Sequence, residues 1–167
     1  MRQLRYTALA LATVFAVGAC GDDEEGPTGP SVADIAGTWD AAEFHIQGTE
    51  DPETQNLPIV PDMGGSFETT IQDDGSFTAT LVIPDPTSEE EPQPIPLTGT
   101  LSIDGDTLTV DFDATTEALG FDDFTAEYTF GGDTFDWFSD SIDFDFPADD
   151  VDGEVPATIS VELERVS

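Results

Sequence analysis

Apolar and polar residues alternate with a period of two over most of the chain from Ile35 to Leu163, and Gly-containing turns cut the alternation at intervals. Successive side chains of an extended strand point to opposite faces, so this pattern specifies strands with one buried and one wet face. Phe67, Thr69 and Ile71 alternate with Ser66, Glu68 and Thr70, and after Asp73-Asp74-Gly75 the run resumes with Phe77, Ala79, Leu81 and Ile83. Asp-Gly between two such runs predicts a tight hairpin. A second hairpin joins Leu97, Gly99, Leu101 and Ile103 to Leu108, Val110 and Phe112 across Asp104-Gly105. A third pairs Phe124, Ala126, Tyr128 and Phe130 with Phe135 and Trp137 across Gly131-Gly132. The last strand carries Ile159, Val161 and Leu163.

With 37–46 as the first strand, the reading is eight sequential strands and no helix beyond a single turn over 116–119. The fold class is therefore all-β, an antiparallel up-and-down meander barrel of about eight strands, in which closure removes the exposed edges of a flat sheet. An open β-sandwich has the same periodicity and stands as the alternative. Two breaks in parity predict irregularities. Trp39 and Ala41 share one parity while Phe44 and Ile46 take the other, which predicts a bulge at Ala42 or Glu43. A second shift after Trp137 predicts a bulge or turn over 138–141, followed by an extra strand through Ile142, Phe144 and Phe146. The segments 48–63 and 84–96 are rich in Pro, which removes backbone donors, and both are expected to be loops and not strands. Connections longer than about 12 residues often serve as lids or binding segments, surface decoration being the plainer alternative.

The chain has 37 acidic residues against Arg2, Arg5 and Arg165 and no Lys, a formal charge of −34 over 167 residues. Phosphate neutralisation needs clustered Lys or Arg, so nucleic acid is excluded as a partner, as is electrostatic docking on anionic lipid. Disorder is a risk at this charge, but 38% hydrophobic residues, including 12 Phe, suffice for a packed core. Arg2 and Arg5 open the chain, Ala8 to Val17 supply a short apolar run, and Val17-Gly18-Ala19-Cys20 closes it. This is the composition of a signal peptide, too short to span a bilayer.

The tetrapeptide resembles a bacterial lipobox, which implies cleavage before Cys20 and acylation of its thiol and new amino terminus. On that reading residues 1–19 are the signal peptide, 20–34 a lipidated, acidic, flexible tether, and 35–167 the barrel domain. Acyl chains contribute about 0.8 kcal/mol per buried methylene, so anchoring needs no basic patch. Gly21 follows the Cys where an Asp would mark inner-membrane retention, which by resemblance to Gram-negative sorting favours the outer membrane. The partner is then the membrane, through the N-terminal lipid, and no oligomeric state is specified.

Ile35-Ala36-Gly37-Thr38-Trp39 resembles the Gly-x-Trp signature of the lipocalin-like superfamily. The order of further motifs is similar to small bacterial lipocalin-like lipoproteins: Asp74-Gly75-Ser76-Phe77, Gly105-Asp106-Thr107-Leu108, and a closing strand from Pro156 to Arg165. The resemblance implies that Trp39 closes one end of the barrel beside Gly37 and that an Arg of the last strand stacks on it; Arg165 is the only candidate for that Arg, an exposed terminal Arg being the alternative.

Nothing in the sequence assembles catalytic chemistry, so no enzyme and no cofactor is expected. His45 is the only His and Cys20 is committed to lipid, which leaves nucleophilic and His-based metal sites without parts. The acidic run Asp149 to Glu154, with Asp143 and Asp145, suggests at most weak Ca²⁺ binding on an acidic surface, because its spacing fails the EF-hand template. No metal site is assigned. An eight-stranded barrel either fills with side chains or holds one small molecule. Phe77, Phe112, Tyr128, Phe130 and Trp137 are the candidate lining of such a cavity, whose ligand would be hydrophobic or amphipathic. Large inward aromatics more often fill a core than line a cavity, so a filled or narrowly open barrel is the leading expectation. A filled barrel would leave a structural or interaction protein of the cell envelope.

Overall fold

A computed structural model describes residues 29–84, 91–117, 122–144, 146 and 153–166. Its strands are β1 (Gly37–Gly48), β2 (Asn56–Val60), β3 (Ser66–Ile71), β4 (Ser76–Val82), β5 (Ile95–Asp104), β6 (Thr107–Phe112), β7 (Phe124–Phe130), β8 (Thr134–Phe144) and β9 (Val155–Arg165). Two single helical turns accompany them, α1 (Val32–Ile35) and α2 (Ala114–Glu117). All ladders are antiparallel, and each strand from β3 to β9 pairs with the next. β1 pairs with β3 on one side and with β9 on the other, from Trp39↔Arg165 to Gly48↔Ala157. The sheet thus closes on itself. It is an eight-stranded meander barrel with β2 as one additional strand, and the open sandwich is excluded.

The alternation that defined the strands sorts the side chains as expected. In β4, Phe77, Ala79 and Leu81 are buried while Thr78 and Thr80 are exposed, and in β9 Val155, Ala157, Ile159, Val161 and Leu163 are buried. The bulge in β1 lies where parity placed it: the β1–β9 register shifts between Ala41 and Glu43, Ala42 and Glu43 both face outward, and Phe44 turns back in. His45 therefore faces the outside, where its ring is hydrogen-bonded to the Asn56 side-chain oxygen.

Three expectations are corrected. The segment 48–63 is not all loop, because Asn56–Val60 pairs with Phe44–Gln47 of β1. Pro58 is tolerated there because β2 is an edge strand with one ladder partner, so a missing donor breaks no second ladder. The segment 84–96 likewise ends in strand, with Ile95 and Pro96 opposite Leu81 and Thr80 of β4. Pro96 escapes conflict on its other side because β6 pairs with β5 only from Gly99 onward. Finally, no separate strand follows Trp137. β8 runs unbroken to Phe144, and the parity shift is a bulge between Ser139 and Ile142 in its ladder with β9.

The two ends of the barrel differ. The turns at 72–75, 104–107 and 131–133 all lie at the end where β1 begins, together with α1. Ser31 to Asp34, read from composition as the last part of the tether, make that turn: the Asp34 carboxylate accepts hydrogen bonds from the Ser31 amide at 2.8 Å and hydroxyl at 2.7 Å. The longer connections, including β2 and α2, lie at the other end. The single turn foreseen over 116–119 is found at Ala114–Glu117. Cys20 and the rest of segment 1–28, and Asp145 and Asp149 to Asp152 of the acidic run, lie outside the described residues.

Candidate ligand-binding site

Trp39 forms the floor of the barrel. It is fully buried, its indole N–H donates to the Ile35 carbonyl at 2.9 Å, and Phe130 and Phe135 pack against it with ring centroids at 6.3 and 5.9 Å. The Arg165 guanidinium carbon stands 4.2 Å from the indole centroid. Its three nitrogens donate to the carbonyls of Gly132 (3.0 Å), Ala36 (2.7 Å) and Asp34 (3.2 Å). One cation thereby satisfies three backbone acceptors of two turns and stacks on the ring, a geometry that a planar guanidinium allows and an ammonium does not. Gly37 makes room for it: a Cβ there would stand 2.4 Å from Arg165 Nη1, and its φ of +144° disfavours other residues. The structure thus brings Gly37, Trp39 and Arg165 together at one end.

Tyr128 and Phe130 belong to this floor and not to a cavity wall, which corrects their assignment as ligand-lining. Phe130 abuts Trp39 edge-on, and Tyr128 lies against Phe135 at 6.1 Å while its hydroxyl donates to the Gly105 carbonyl at 2.9 Å. Burial, and secondarily the nearby Asp106 carboxylate, push the Tyr128 pKa up.

Above the floor the barrel is not filled. A cavity of about 330 Å³ extends upward from Phe135 and Leu163. Phe77, Phe112 and Trp137, three of the expected residues, line it. Their rings form an aromatic arc with Phe124: Phe77–Phe112 at 5.9 Å, Phe112–Phe124 at 6.1 Å and Phe124–Trp137 at 5.4 Å. The facing wall is made by Phe44, Ile46 and Phe67, the two Phe rings meeting edge to face at 5.2 Å. The aromatics therefore do both things, some packing around Trp39 and others lining the cavity. The volume falls at the lower end of the range of small-molecule pockets, and the lining is apolar with few polar groups, as such sites require.

Those polar groups were not foreseen. Asp122, Asp123, Ser141 and Asp143 border the cavity at the open end, and Thr69 lies inside it, buried, with its hydroxyl donating to the Thr78 carbonyl at 3.3 Å. Asp123 also accepts a hydrogen bond from the Phe112 amide at 2.6 Å, which ties the connection after α2 to the end of β6. α2 is itself fastened to β5: the Thr116 hydroxyl accepts from the Thr98 amide at 2.9 Å and donates to its carbonyl at 3.1 Å. The Asp113 carboxylate accepts from the Thr98 hydroxyl and from the amides of Thr115 (2.9 Å) and Thr116 (3.0 Å), which hold its pKa below the usual carboxylate value. Among the described residues no group of three or more His, Cys, Asp or Glu could hold a metal ion.

No protein-family model matches the chain, and no curated protein matches it. Among solved structures it is similar to a lipocalin-like protein from Bacteroides uniformis ATCC 8492, with 15% identity over 80% of this chain and 99% of that one and a TM-score of 0.44. It is also similar to a redesigned β-barrel (14% identity, 85% of this chain and 100% of that one, TM-score 0.43). An uncharacterized protein from Bacteroides eggerthii DSM 20697 shows 12% identity over 77% of this chain and 98% of that one, with a TM-score of 0.39. The barrel itself is established by the chain's own closed ladder of hydrogen-bonded strands.

Proposed function

We propose that this chain is a non-enzymatic, lipocalin-like lipoprotein, anchored through Cys20, that holds a small hydrophobic or amphipathic ligand in the upper half of its barrel. The observation that carries this reading is the apolar cavity of about 330 Å³ above a sealed floor. An empty apolar volume of this size is a cost in stability that a purely structural barrel would avoid by packing. Anchoring rests on the lipobox-like Val17-Gly18-Ala19-Cys20, and the outer membrane is favoured by Gly21. The fold suits a tether: α1 packs at the closed end, and Gly29 lies there beside Gly105 and Tyr128. A chain rising from the membrane to that point would leave the open end facing away from the bilayer.

The test is a titration of the purified protein with N-phenyl-1-naphthylamine, an uncharged probe that fluoresces in apolar surroundings. One saturable site per chain is the expected result, with the signal lost in Leu97→Trp, which fills the cavity. Absence of saturable binding, or unchanged binding in that variant, would refute the cavity reading. Anchoring is checked separately by palmitate labelling, expected in the parent chain and absent in Cys20→Ser.

A further inference from the structure

The ladders of the barrel wall are interrupted at two places, and they are treated differently. Between β1 and β3 the ladder covers only Gly37–Asp40 against Glu68–Ile71. Above it the wall diverges, and β2 fills the space: Ile59 is fully buried, Val60 is buried beside it, and the Gly65 amide donates to the Ile59 carbonyl at 2.9 Å. That break is sealed.

Between β7 and β8 the ladder ends at Glu127↔Phe138, although β7 begins three residues earlier at Phe124 and β8 continues to Phe144. The bulge between Ser139 and Ile142 occurs where pairing with β7 stops, and beyond it β8 pairs, among the described residues, with β9 alone. Among the described residues no strand covers the space. A second, shallower hollow lies here on Thr109, Asp123, Phe124, Thr125 and Ser141, and it shares Asp123, Phe124 and Ser141 with the main cavity. The two hollows thus meet at the same three residues of this break. Polar lining is confined to the same place: apart from Thr69, every polar residue on the cavity flanks this break, Asp122 and Asp123 on the β7 side and Ser141 and Asp143 on the β8 side.

Resting on the cavity reading above, we propose that the break between β7 and β8 is the doorway of the cavity, and that it seats the uncharged or cationic head of an amphipathic ligand whose apolar part lies inside. The cavity and the missing ladder define the site; the carboxylates set only the sign of the head. Asp122, Asp123 and Asp143 are exposed, and the only Arg or Lys among the described residues, Arg165, is at the opposite end, so an anionic head would meet uncompensated like charge.

Stopped-flow fluorescence with N-phenyl-1-naphthylamine tests the doorway. Ser141→Phe and, from the other edge, Thr125→Phe narrow the break, and Gln93→Phe is the control on the β4–β5 connection. Both doorway variants should slow association and dissociation by about tenfold, the rate change equivalent to about 1.4 kcal/mol of added barrier, with little change in Kd. Parental rates in both folded doorway variants, or slowing only in the control, would overturn the doorway. Lack of saturable binding by the parent protein would instead overturn the cavity reading on which it rests. The head group is read by displacing the probe with dodecyltrimethylammonium or dodecanoate at about 0.15 M salt. A preference of about fivefold for the cation is expected, lost when Asp122, Asp123 and Asp143 are changed to Asn and kept when Asp73, Asp106 and Asp133 at the closed end are changed. Equal displacement, or equal loss in the two triple variants, overturns the head-group assignment.

Discussion

At one end of the barrel three tight turns and α1 converge on a single buried tryptophan, whereas at the other end longer connections surround an unfilled apolar space. Both regions are built from inward-facing aromatic residues of the barrel strands. The difference lies in what each ring meets. Trp39, Phe130 and Phe135 find one another and a guanidinium, while Phe77, Phe112 and Trp137 find neighbours around an arc and a cavity between them and the facing wall. Close packing holds the fold together below, and its local absence leaves room for a ligand above.

The largest expected effect follows from this contrast. Trp39→Ala removes a fully buried indole, its hydrogen bond to Ile35 and the stacking surface of Arg165, and should cost about 3–5 kcal/mol, the range of large-to-small core substitutions. Phe112→Ala removes a half-buried ring that already borders empty space, and should cost about 1.5–2 kcal/mol while enlarging the cavity. Chemical denaturation of both variants checks the pair. Equal losses would break the distinction between a packed lower half and an open upper half.

Arg165 sharpens it further. Arg165→Leu abolishes three charge-assisted hydrogen bonds to the carbonyls of Gly132, Ala36 and Asp34 together with the contact to Trp39. A loss of about 2 kcal/mol is expected, since each such bond is partly exposed and replaces water. Arg165→Lys should recover little of it, because an ammonium cannot reach the three acceptors in one plane. Arg165 is not among the residues that line the cavity, so probe affinity in folded protein should not change.

The fold was largely legible because its information is local. Asp74-Gly75, Gly105 and Gly131-Gly132 mark the hairpins, and the period-two runs beside them fix the face of each strand. The bulge at Ala42–Glu43 was visible as a parity error for the same reason. β2 was hidden by Pro58, whose cost depends on whether a strand lies at an edge, a property of the assembled sheet. Likewise, parity assigns a residue to the inside but gives no height along the barrel. Phe124 and Phe130 share a face of β7, yet at about 3.3 Å per residue they stand roughly 20 Å apart, one on the cavity wall and one on the floor. The polar rim carried no signal: Asp122, Asp123 and Asp143 are three among 37 acidic residues, and only the break in the wall distinguishes them.

The smallest expected effect separates the ends by pH. Three Asp residues have lowered pKa values because hydroxyl and amide donors favour the charged form: Asp34 through Ser31 and Asp74 through Ser76 at the closed end, and Asp113 through Thr98 and Thr116 at the open end. A group whose pKa is lower folded than unfolded contributes stability that is complete above the ordinary Asp value of about 3.9 and is lost as pH falls through the lowered folded value. Acidification also relieves the self-repulsion of a chain with formal charge −34, which acts in the opposite direction on the whole molecule. Global melting temperature therefore mixes two signs, and residue-resolved NMR titration is the measurement that separates them. All three Asp should titrate below the ordinary Asp value. On protonation of Asp113, the amides of Thr115 and Thr116 should lose exchange protection, since α2 is fastened by that carboxylate and by Thr116. The Trp39 indole N–H should keep its protection, because its partner is the Ile35 carbonyl in a buried, non-titrating contact. Simultaneous loss at Thr116 and Trp39 would show that the two ends open as one cooperative unit, and would remove the division between a rigid floor and a separately adjustable mouth.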